Sequence, residues 1–416
     1  MFDVGVSSQQ TQLGVALRGV VASRATKDSR VFSGKNQVVA AALLMLVVSV
    51  GHAFGQNKRD SDFRFVNVAD STQGFTGFST FPAINNHGAV AFVASGPDRT
   101  DEGVFRWQDG SVMTIAKHTP GGPTLFGIDP VINAAGTVAF EANLSTGARA
   151  IFTSDGVTTK TIVNTIDQGL IGRFLGSPSI DRFGTVAFFG VRNGFISQAV
   201  FTGNGGALTP VVDTIDSNFT GFQNVAINAS GKIVFGADNN DGSVGLFVID
   251  KDDPLKQPSL IVDTNNPDFG GFGDPVINKH GTITDDAFRN DGNAEILSGD
   301  RRGVTARTDI AGATFIQFEH PSINDSDAVA FFAFKTDGGG GVFIELTGGA
   351  SPIPVIQTGD ALFGSTVTEV DLGRFALNNK FQLAFQYTLA DERSGVAVAS
   401  LRREEGHGDS EDDDDQ

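Results

Sequence analysis

The stretch Pro82-Ala83-Ile84-Asn85-Asn86-His87-Gly88-Ala89-Val90-Ala91-Phe92 returns in altered form along most of this chain. Its seven copies place an Asn or Asp at positions 85, 133, 181, 228, 278, 324 and 378, so that successive copies are 48, 48, 47, 50, 46 and 54 residues apart. A repeat of this length indicates one architecture built from similar units rather than several unrelated domains.

Each copy predicts a strand, a tight turn and a second strand. The Asn or Asp side chain can accept a hydrogen bond from the backbone two residues on, and a Gly three residues later supplies a left-handed conformation. The residues predicted to form these turns are Asn85, Gly88, Asn133, Gly136, Asp181, Gly184, Asn228, Gly231, Asn278, Gly281 and Asn324. In the seventh copy Phe381 replaces the Gly, and a bulky residue adopts that conformation only at a steric cost.

Two further apolar segments fit between successive copies, which gives four strands per repeat, the expected content of a propeller blade. The chain contains 52 Gly, 36 Phe and no Cys, so short strands and tight turns must be stabilised without disulfides. The segment Phe65–Asp70 resembles a fourth strand, whereas the last repeat stops near Ala399 without one. The sequence therefore predicts an all-β fold, a seven-bladed β-propeller of four-stranded blades, closed by residues 63–70 completing the last blade.

The repeats resemble the tandem Asn-x-x-Gly-x-x-Ala-Phe family of exported bacterial proteins, whose members carry varied surface anchors. They are also similar, more loosely, to TolB-type propeller repeats. The resemblance covers about residues 63–400 and departs from the pattern at Asp181, in place of Asn, and at Val234, in place of Ala. It implies export and a propeller-like repeat, and it carries over no shared catalytic residues.

The two ends of the chain differ in composition from the repeats. Residues 1–55 combine a long basic region, an apolar run at 38–50 and the small residues Ala53 and Gly55, which together predict an export signal. An uncleaved membrane anchor and a misassigned start codon are the alternatives. Residues 56–62 are predicted to be a linker, 63–402 the propeller and 403–416 a disordered acidic tail. We expect a secreted or cell-surface protein, periplasmic or extracellular.

The formal net charge of −18 bears on the kind of partner. A strongly acidic protein without a basic stripe gains little from counterion release, so nucleic acid is not expected as a partner. We expect a protein or glycan partner, no membrane span in the mature protein, and a monomer.

Two irregular stretches contain the candidate site residues. In the fifth repeat, Ile283-Thr284-Asp285 stands where Val-Ala-Phe is expected, and Asp286 and Phe288 follow, as though a bulge had moved the aromatic residue onward. Asp285, Asp286 and nearby Asp291 are candidates for binding a cation or polar ligand, the alternative being drift of a surface strand. The oxygen-rich stretch containing Asp238, Asn240 and Asp241 is a candidate calcium loop, the alternative being an ordinary hairpin turn.

Motifs that identify common enzymes are missing from the sequence. It contains no Gly-x-Ser-x-Gly elbow, no phosphate-binding loop and no His-Glu-x-x-His spacing. We therefore expect a non-enzymatic binding or scaffold module. The alternatives are a propeller hydrolase or lyase that uses channel-facing carboxylates, and a structural surface protein stabilised by calcium.

Overall fold

A computed structural model describes residues 62–78, 80–97, 102–171, 176–195, 197–309, 314–346 and 351–402. The chain divides into two units, residues 1–60 and residues 61–416. The first unit, and with it the predicted export signal, lies outside the described residues, as do the predicted acidic tail and nearly all of the predicted linker.

The described part of the second unit is a seven-bladed β-propeller, as the repeats predict. The first blade contains β2 (Ala83–Ile84), β3 (Val90–Ala94), β4 (Gly103–Gln108) and β5 (Ser111–Lys117). The second contains β6 (Pro123–Phe126), β7 (Val131–Ile132), β8 (Val138–Leu144), β9 (Arg149–Ser154) and β10 (Thr159–Asn164). The third contains β11 (Ser179–Ile180), β12 (Val186–Val191), β13 (Gln198–Gly203) and β14 (Thr209–Asp213).

Blades four to six continue the same antiparallel order. The fourth blade contains β15 (Phe219–Ile227), β16 (Lys232–Asn239), β17 (Val244–Asp250) and β18 (Ser259–Asp263). The fifth contains β19 (Phe269–Phe272), β20 (Val276–Ile277), β21 (Ile283–Arg289), β22 (Ala294–Asp300) and β23 (Gly303–Asp309). The sixth contains β24 (Phe315–Ile323), β25 (Val329–Lys335), β26 (Gly340–Glu345) and β27 (Ile353–Gln357). Two short 3-10 helices, Ser71–Gln73 and Asn193–Phe195, also occur in the described segments.

The last blade closes the ring in the way that the sequence predicts. Its strands are β28 (Ala361–Leu362), β29 (Ser365–Leu377), β30 (Gln382–Leu389), β31 (Ser394–Leu401) and, from the beginning of the domain, β1 (Phe63–Asp70). Strand β1 pairs antiparallel with β31, from Phe63 opposite Leu401 to Asp70 opposite Gly395. The predicted closure is confirmed, and β31 has no open edge that could pair with another chain.

Alternating large and small residues pack the blades against one another. Phe140 of the second blade lies in one cluster with Ala91 of the first, and Phe188 of the third lies with Ala139 of the second. Within a blade the same Phe stacks on its neighbour, as Phe140 does on Phe152 with centroids 5.6 Å apart. The fifth blade differs, because the residue at the Phe position is Asp285, opposite Leu297.

The motif Asn has a second structural role that its turn chemistry does not reveal. The Oδ1 atom of Asn85 accepts hydrogen bonds from the amides of His87 and Ala89 and so forms the turn. Its Nδ2 atom donates to the backbone carbonyl of Asn133 in the next blade, 3.0 Å away. The same blade-to-blade bond joins Asn133 to Asp181, Asn228 to Asn278, Asn278 to Asn324, Asn324 to Asn378, and Asn378 back to Asn85.

These bonds form a belt around the axis with one gap. Asp181 has no amide group, so it cannot donate to the next blade. Its Oδ1 atom accepts from the turn amides of Phe183 and Thr185, but its buried Oδ2 atom has no hydrogen-bond partner among the described residues. The preference for Asn over Asp at this position therefore has a physical cause.

The last turn residue is left-handed in every copy, whatever its identity. Gly88 has a φ of 91°, which glycine adopts freely. Asp327 and Phe381, at the same position in the sixth and seventh copies, have φ values of 60° and 57°. Phe381 thus adopts the sterically unfavourable conformation that the sequence predicts, and its ring packs against the core of the last blade.

Candidate functional site

The residues four positions before each motif Asn converge on the propeller axis, one from each blade. They are Phe81, Asp129, Ser177, Asn224, Asp274, His320 and Arg374 in the order of the blades, and we call them the channel ring. Together they line a cavity of about 110 Å³. Six of the seven ring residues are polar or charged.

The backbone at these positions explains why the side chains reach the axis. In blades four, six and seven the innermost strand is continuous, but its pairing shifts register around the ring residue, as between Glu319 and Ser322. In blades two and five the innermost strand is interrupted there, so that Asp129 lies between β6 and β7 and Asp274 lies between β19 and β20. Such bulges and breaks redirect side chains, and they are common beside functional sites.

Neutral neighbours hold the two ring carboxylates in place. The Ser177 hydroxyl donates to Oδ2 of Asp129 at 2.8 Å, and the side-chain amide of Asn224 donates to Oδ1 of Asp274. Neither carboxylate forms an ion pair with a lysine or arginine within the described ranges. The ring therefore holds two negative charges whose direct contacts are uncharged.

Two residues of the channel ring, Arg374 and His320, have a buried nitrogen without a hydrogen-bond partner in the described part of the chain, and only that of His320 has a carboxylate nearby, Asp371 at 3.7 Å. Arg374 is the clearer case. Its Nη1 atom is buried and has no hydrogen-bond partner among the residues that the structure describes. Its guanidinium carbon lies 5.4 Å from the centre of the Phe375 ring. A buried N–H group without a partner is costly, which makes this guanidinium, half-buried as a whole, a candidate to receive an anion.

His320 occupies a strained position beside Arg374. It has a left-handed backbone, with a φ of 53°, and its ring lies 4.4 Å from that of Phe81. Burial lowers the pKa of His320, but the carboxylates of Asp371, Asp274 and Glu319 outweigh burial and raise the pKa above its ordinary value. Strained non-glycine residues of this kind cluster at functional sites.

Asp285 and Asp286 lie directly behind the ring. The Asp274 amide donates to Oδ1 of Asp286 at 3.1 Å, and the Gly273 amide donates to Oδ2 of Asp285 at 3.2 Å. Burial, reinforced by Asp274, raises the pKa of Asp286 to about 7. Burial and the charge of Asp286 also raise the pKa of Asp285 well above its usual range. The two carboxyls support Asp274 from the protein side.

The prediction of a bulge in the fifth blade is wrong. Strand β21 pairs with β22 without a register shift from Ile283 to Phe288. Asp285 simply occupies the buried position of the missing Phe, because two backbone amides, those of Gly273 and Asp274, are available to this pair of carboxyls. The third candidate, Asp291, lies apart from them in the exposed turn after β21, where it accepts from the Asn293 amide.

The three candidate calcium-binding residues each bond to a different neighbour. Asp238 accepts a hydrogen bond from Gln223, Asp241 accepts from Ser243 and Asn265, and the Asn240 amide donates to the Asn218 carbonyl. Across the described residues, no three His, Asp or Glu side chains converge as a metal site. Calcium binding at this loop stays a prediction, which a calorimetric calcium titration can test.

A wider chamber adjoins the channel ring on the side of the motif turns. Its volume is about 430 Å³, its lining includes residues from all seven blades, and it shares Arg374 and Phe375 with the smaller cavity. On four consecutive blades the residues after the motif Asn are joined by hydrogen bonds, from Lys279 through Asp325 and Asn379 to Asn86. The wider chamber thus has a bonded rim around half of its circumference.

Sequence reasoning missed the channel ring because it concentrated on the motif and the residues after it. The signal was present: the fourth residue before the motif Asn is Asp, Ser, Asn, Asp, His or Arg in six of the seven repeats. A polar residue recurring at one register of an otherwise apolar inner strand indicates a face turned toward water or a ligand.

Fold and channel together define the class: a seven-bladed propeller with a polar, partly buried cavity on its axis. The chain belongs to a family of unknown function, DUF7453, whose profile matches residues 84–349. Comparison with curated protein sequences gives no significant match. No helix in the described residues is long and apolar enough to cross a membrane.

Three solved structures to which the chain is similar have TM-scores below 0.5. A chain from the mitotic checkpoint complex is 9% identical with a TM-score of 0.46, covering 92% of this chain and all of its own. The Pyrococcus horikoshii acylaminoacyl peptidase is 11% identical with a TM-score of 0.49, covering 77% of this chain and 52% of its own. A prolyl endopeptidase is 10% identical with a TM-score of 0.49, covering 89% and 57%. The chain thus spans little more than half the length of either peptidase.

Proposed function

We propose that this chain is an exported binding module that holds a small polar ligand with an anionic group in the channel ring. The observation that carries the proposal is the Nη1 atom of Arg374, which is buried without a hydrogen-bond partner among the described residues, on a side chain that lines the cavity. An anionic group beside the guanidinium would supply the partner that this buried donor lacks. Arginine is also well suited to bind planar carboxylates.

The size of the cavity limits the ligand. The cavity has a volume of about 110 Å³. This is well below the roughly 300 Å³ at which pockets for drug-sized molecules begin. The ligand, or the part of it that enters the ring, is therefore small.

Export and a larger partner belong to the same proposal. Kinship with the tandem Asn-x-x-Gly-x-x-Ala-Phe proteins would account for the apolar segment at 38–50. A protein or glycan partner is supported by Phe183, which is 72% exposed at the tip of the third motif turn beside Arg182. An aromatic ring and a cation at a loop tip are common features of contact surfaces. Such a partner could present the small anionic group to the channel.

Catalysis by channel carboxylates is the second candidate. Asp129 and Asp274 contact the same cavity, as a hydrolase or lyase of this kind would require. Binding is favoured because each carboxylate already accepts a hydrogen bond from a neutral neighbour that holds it in place. Hydrolysis of chromogenic esters or glycosides, lost in both Asp129→Asn and Asp274→Asn, would favour the enzyme instead.

Arg374→Met tests the binding function directly. Titration of the full chain with propionate, a small carboxylate, should give heat of binding at the channel, and the substitution should weaken binding at least tenfold. Methionine keeps an unbranched apolar stem beside Phe375 but removes the charge. Arg302→Met is the matched control, because Arg302 is highly exposed and pairs with Asp300 in a turn.

Propionate affinity that is the same in Arg374→Met and wild type would contradict the proposal. Circular dichroism of both variants shows whether each is folded before the titration is interpreted. Because the comparison is between two arginines, a general loss of positive charge cannot produce the expected difference.

A further inference from the structure

We infer that the ligand of the channel ring is a small zwitterion, with its anionic group at Arg374 and a cationic amino group at Asp129. This inference rests on the proposed function and names the chemical class of the ligand. It starts from the charges that the ring holds apart: Arg374 and Asp129 line one cavity, yet no ion pair joins them in the described structure. A molecule with both charges could satisfy both residues at once.

The two ring carboxylates are not equivalent. Asp274 has His320 as its neighbour in the ring, and the carboxylate of Asp274 helps to raise the pKa of that histidine. Asp129 has Ser177 as its hydrogen-bond donor, and the nearby carboxyl is another acid, Glu141. Glu141 in turn pairs with Arg149. Asp129 is therefore the ring carboxylate that an added cation would stabilise more.

The residue between the two sites is apolar. In the order of the blades Phe81 separates Arg374 from Asp129, and Phe375 lines the same cavity. A short chain of methylene groups between the two charged ends of a ligand would pack against these rings, where a polar linker would lose its hydration. The arrangement fits an amino acid whose amino and carboxyl groups are separated by one to three carbons.

An anion alone is a poorer fit to this ring. A carboxylate without an amino group would satisfy Arg374 but would bring a third negative charge near Asp129 and Asp274. A cation alone would satisfy Asp129 but leave Arg374 unpaired. The two halves of a zwitterion remove both costs together.

The test compares three zwitterions with matched single-charge probes in titrations of the full chain. Glycine, β-alanine and 4-aminobutyrate are paired with acetate, propionate and butyrate, and ethylammonium serves as the cation without an anion. The best zwitterion should bind at least tenfold more tightly than its matched carboxylate, and ethylammonium should bind least. Asp129→Asn should remove the difference within the pair, whereas Asp216→Asn, an exposed control, should keep it.

Each outcome separates the two proposals. If carboxylates bind as tightly as zwitterions and Arg374→Met weakens both, the zwitterion inference is wrong and the proposed function stands. If no probe binds, or if Arg374→Met changes nothing, both are wrong. The affinities of zwitterions and carboxylates are compared on the wild-type protein itself. A folding defect in Asp129→Asn therefore cannot leave the inference undecided.

Discussion

Asp286→Asn should make the protein more stable than wild type at pH 8, by on the order of 3 kcal/mol, and the gain should vanish near pH 4. Asp286 is buried next to Asp285 and Asp274, and burial raises its pKa to about 7. An ordinary Asp in the unfolded chain has a pKa of about 3.9. Asparagine keeps the oxygen that accepts from the Asp274 amide but has no charge to bury.

The direction of the pH dependence follows from the two pKa values. Between about pH 4 and pH 7 the unfolded chain has already lost the proton that folded Asp286 retains, so unfolding releases a proton. Wild-type stability therefore falls as the pH rises through this range and levels off above it. Buried Glu141, whose pKa is also raised to about 7, adds to the same trend, and so does His320, whose pKa lies above its ordinary value in the folded protein.

Urea unfolding at pH 4.5, 6 and 8 measures the effect. Asp291→Asn is the control, because Asp291 lies in the same blade in an exposed turn and should change stability by less than about 0.5 kcal/mol. A difference between Asp286→Asn and wild type that is the same at all three pH values would mean that Asp286 is ionised in the folded protein throughout.

Asn378→Ala should destabilise the propeller by about 3 kcal/mol, because it opens the hydrogen-bonded belt where the ring closes. The side chain donates to the Asn85 carbonyl across 293 residues of sequence and to Gln382, and it accepts from two amides of its own turn. Alanine leaves the buried Asn85 carbonyl and both turn amides without these partners.

The gap in the belt supplies a substitution with the opposite sign. Asp181→Asn should raise stability by about 1 kcal/mol, because an amide can donate to the fourth blade while Oδ1 still forms the turn. The midpoint of urea unfolding gives both values. An Asn378→Ala variant as stable as wild type, or an Asp181→Asn variant less stable than wild type, would show that the belt contributes little.

Much of the fold could be predicted from one sequence because the motif records local physics. A turn needs an acceptor at its first residue and a left-handed residue at its last, and both requirements are visible at Asn85 and Gly88. The closure by residues 63–70 followed from counting strands. The belt could not be predicted in the same way, since its acceptor lies 48 residues further along the chain.

The site was harder to predict than the fold for a related reason. Asp285 and Asp286 stood out as irregular in the sequence, but nothing there indicated that they would lie behind Asp274. In the structure Asp286 accepts a hydrogen bond from the backbone amide of Asp274. The channel ring depends on bulges and breaks in the inner strands, which place residues of similar register but different chemistry around one axis. Arg374 and Asp129 are 245 residues apart in the sequence, and only the closed ring brings them to one cavity.

The most direct test of the central claim, that the channel ring is the ligand-binding site, is a crystal structure of the protein grown with propionate. We predict a carboxylate in the 110 Å³ cavity, hydrogen-bonded to Nη1 of Arg374. Propionate bound elsewhere on the protein, with Arg374 turned away from the cavity or paired with another side chain, would contradict the account.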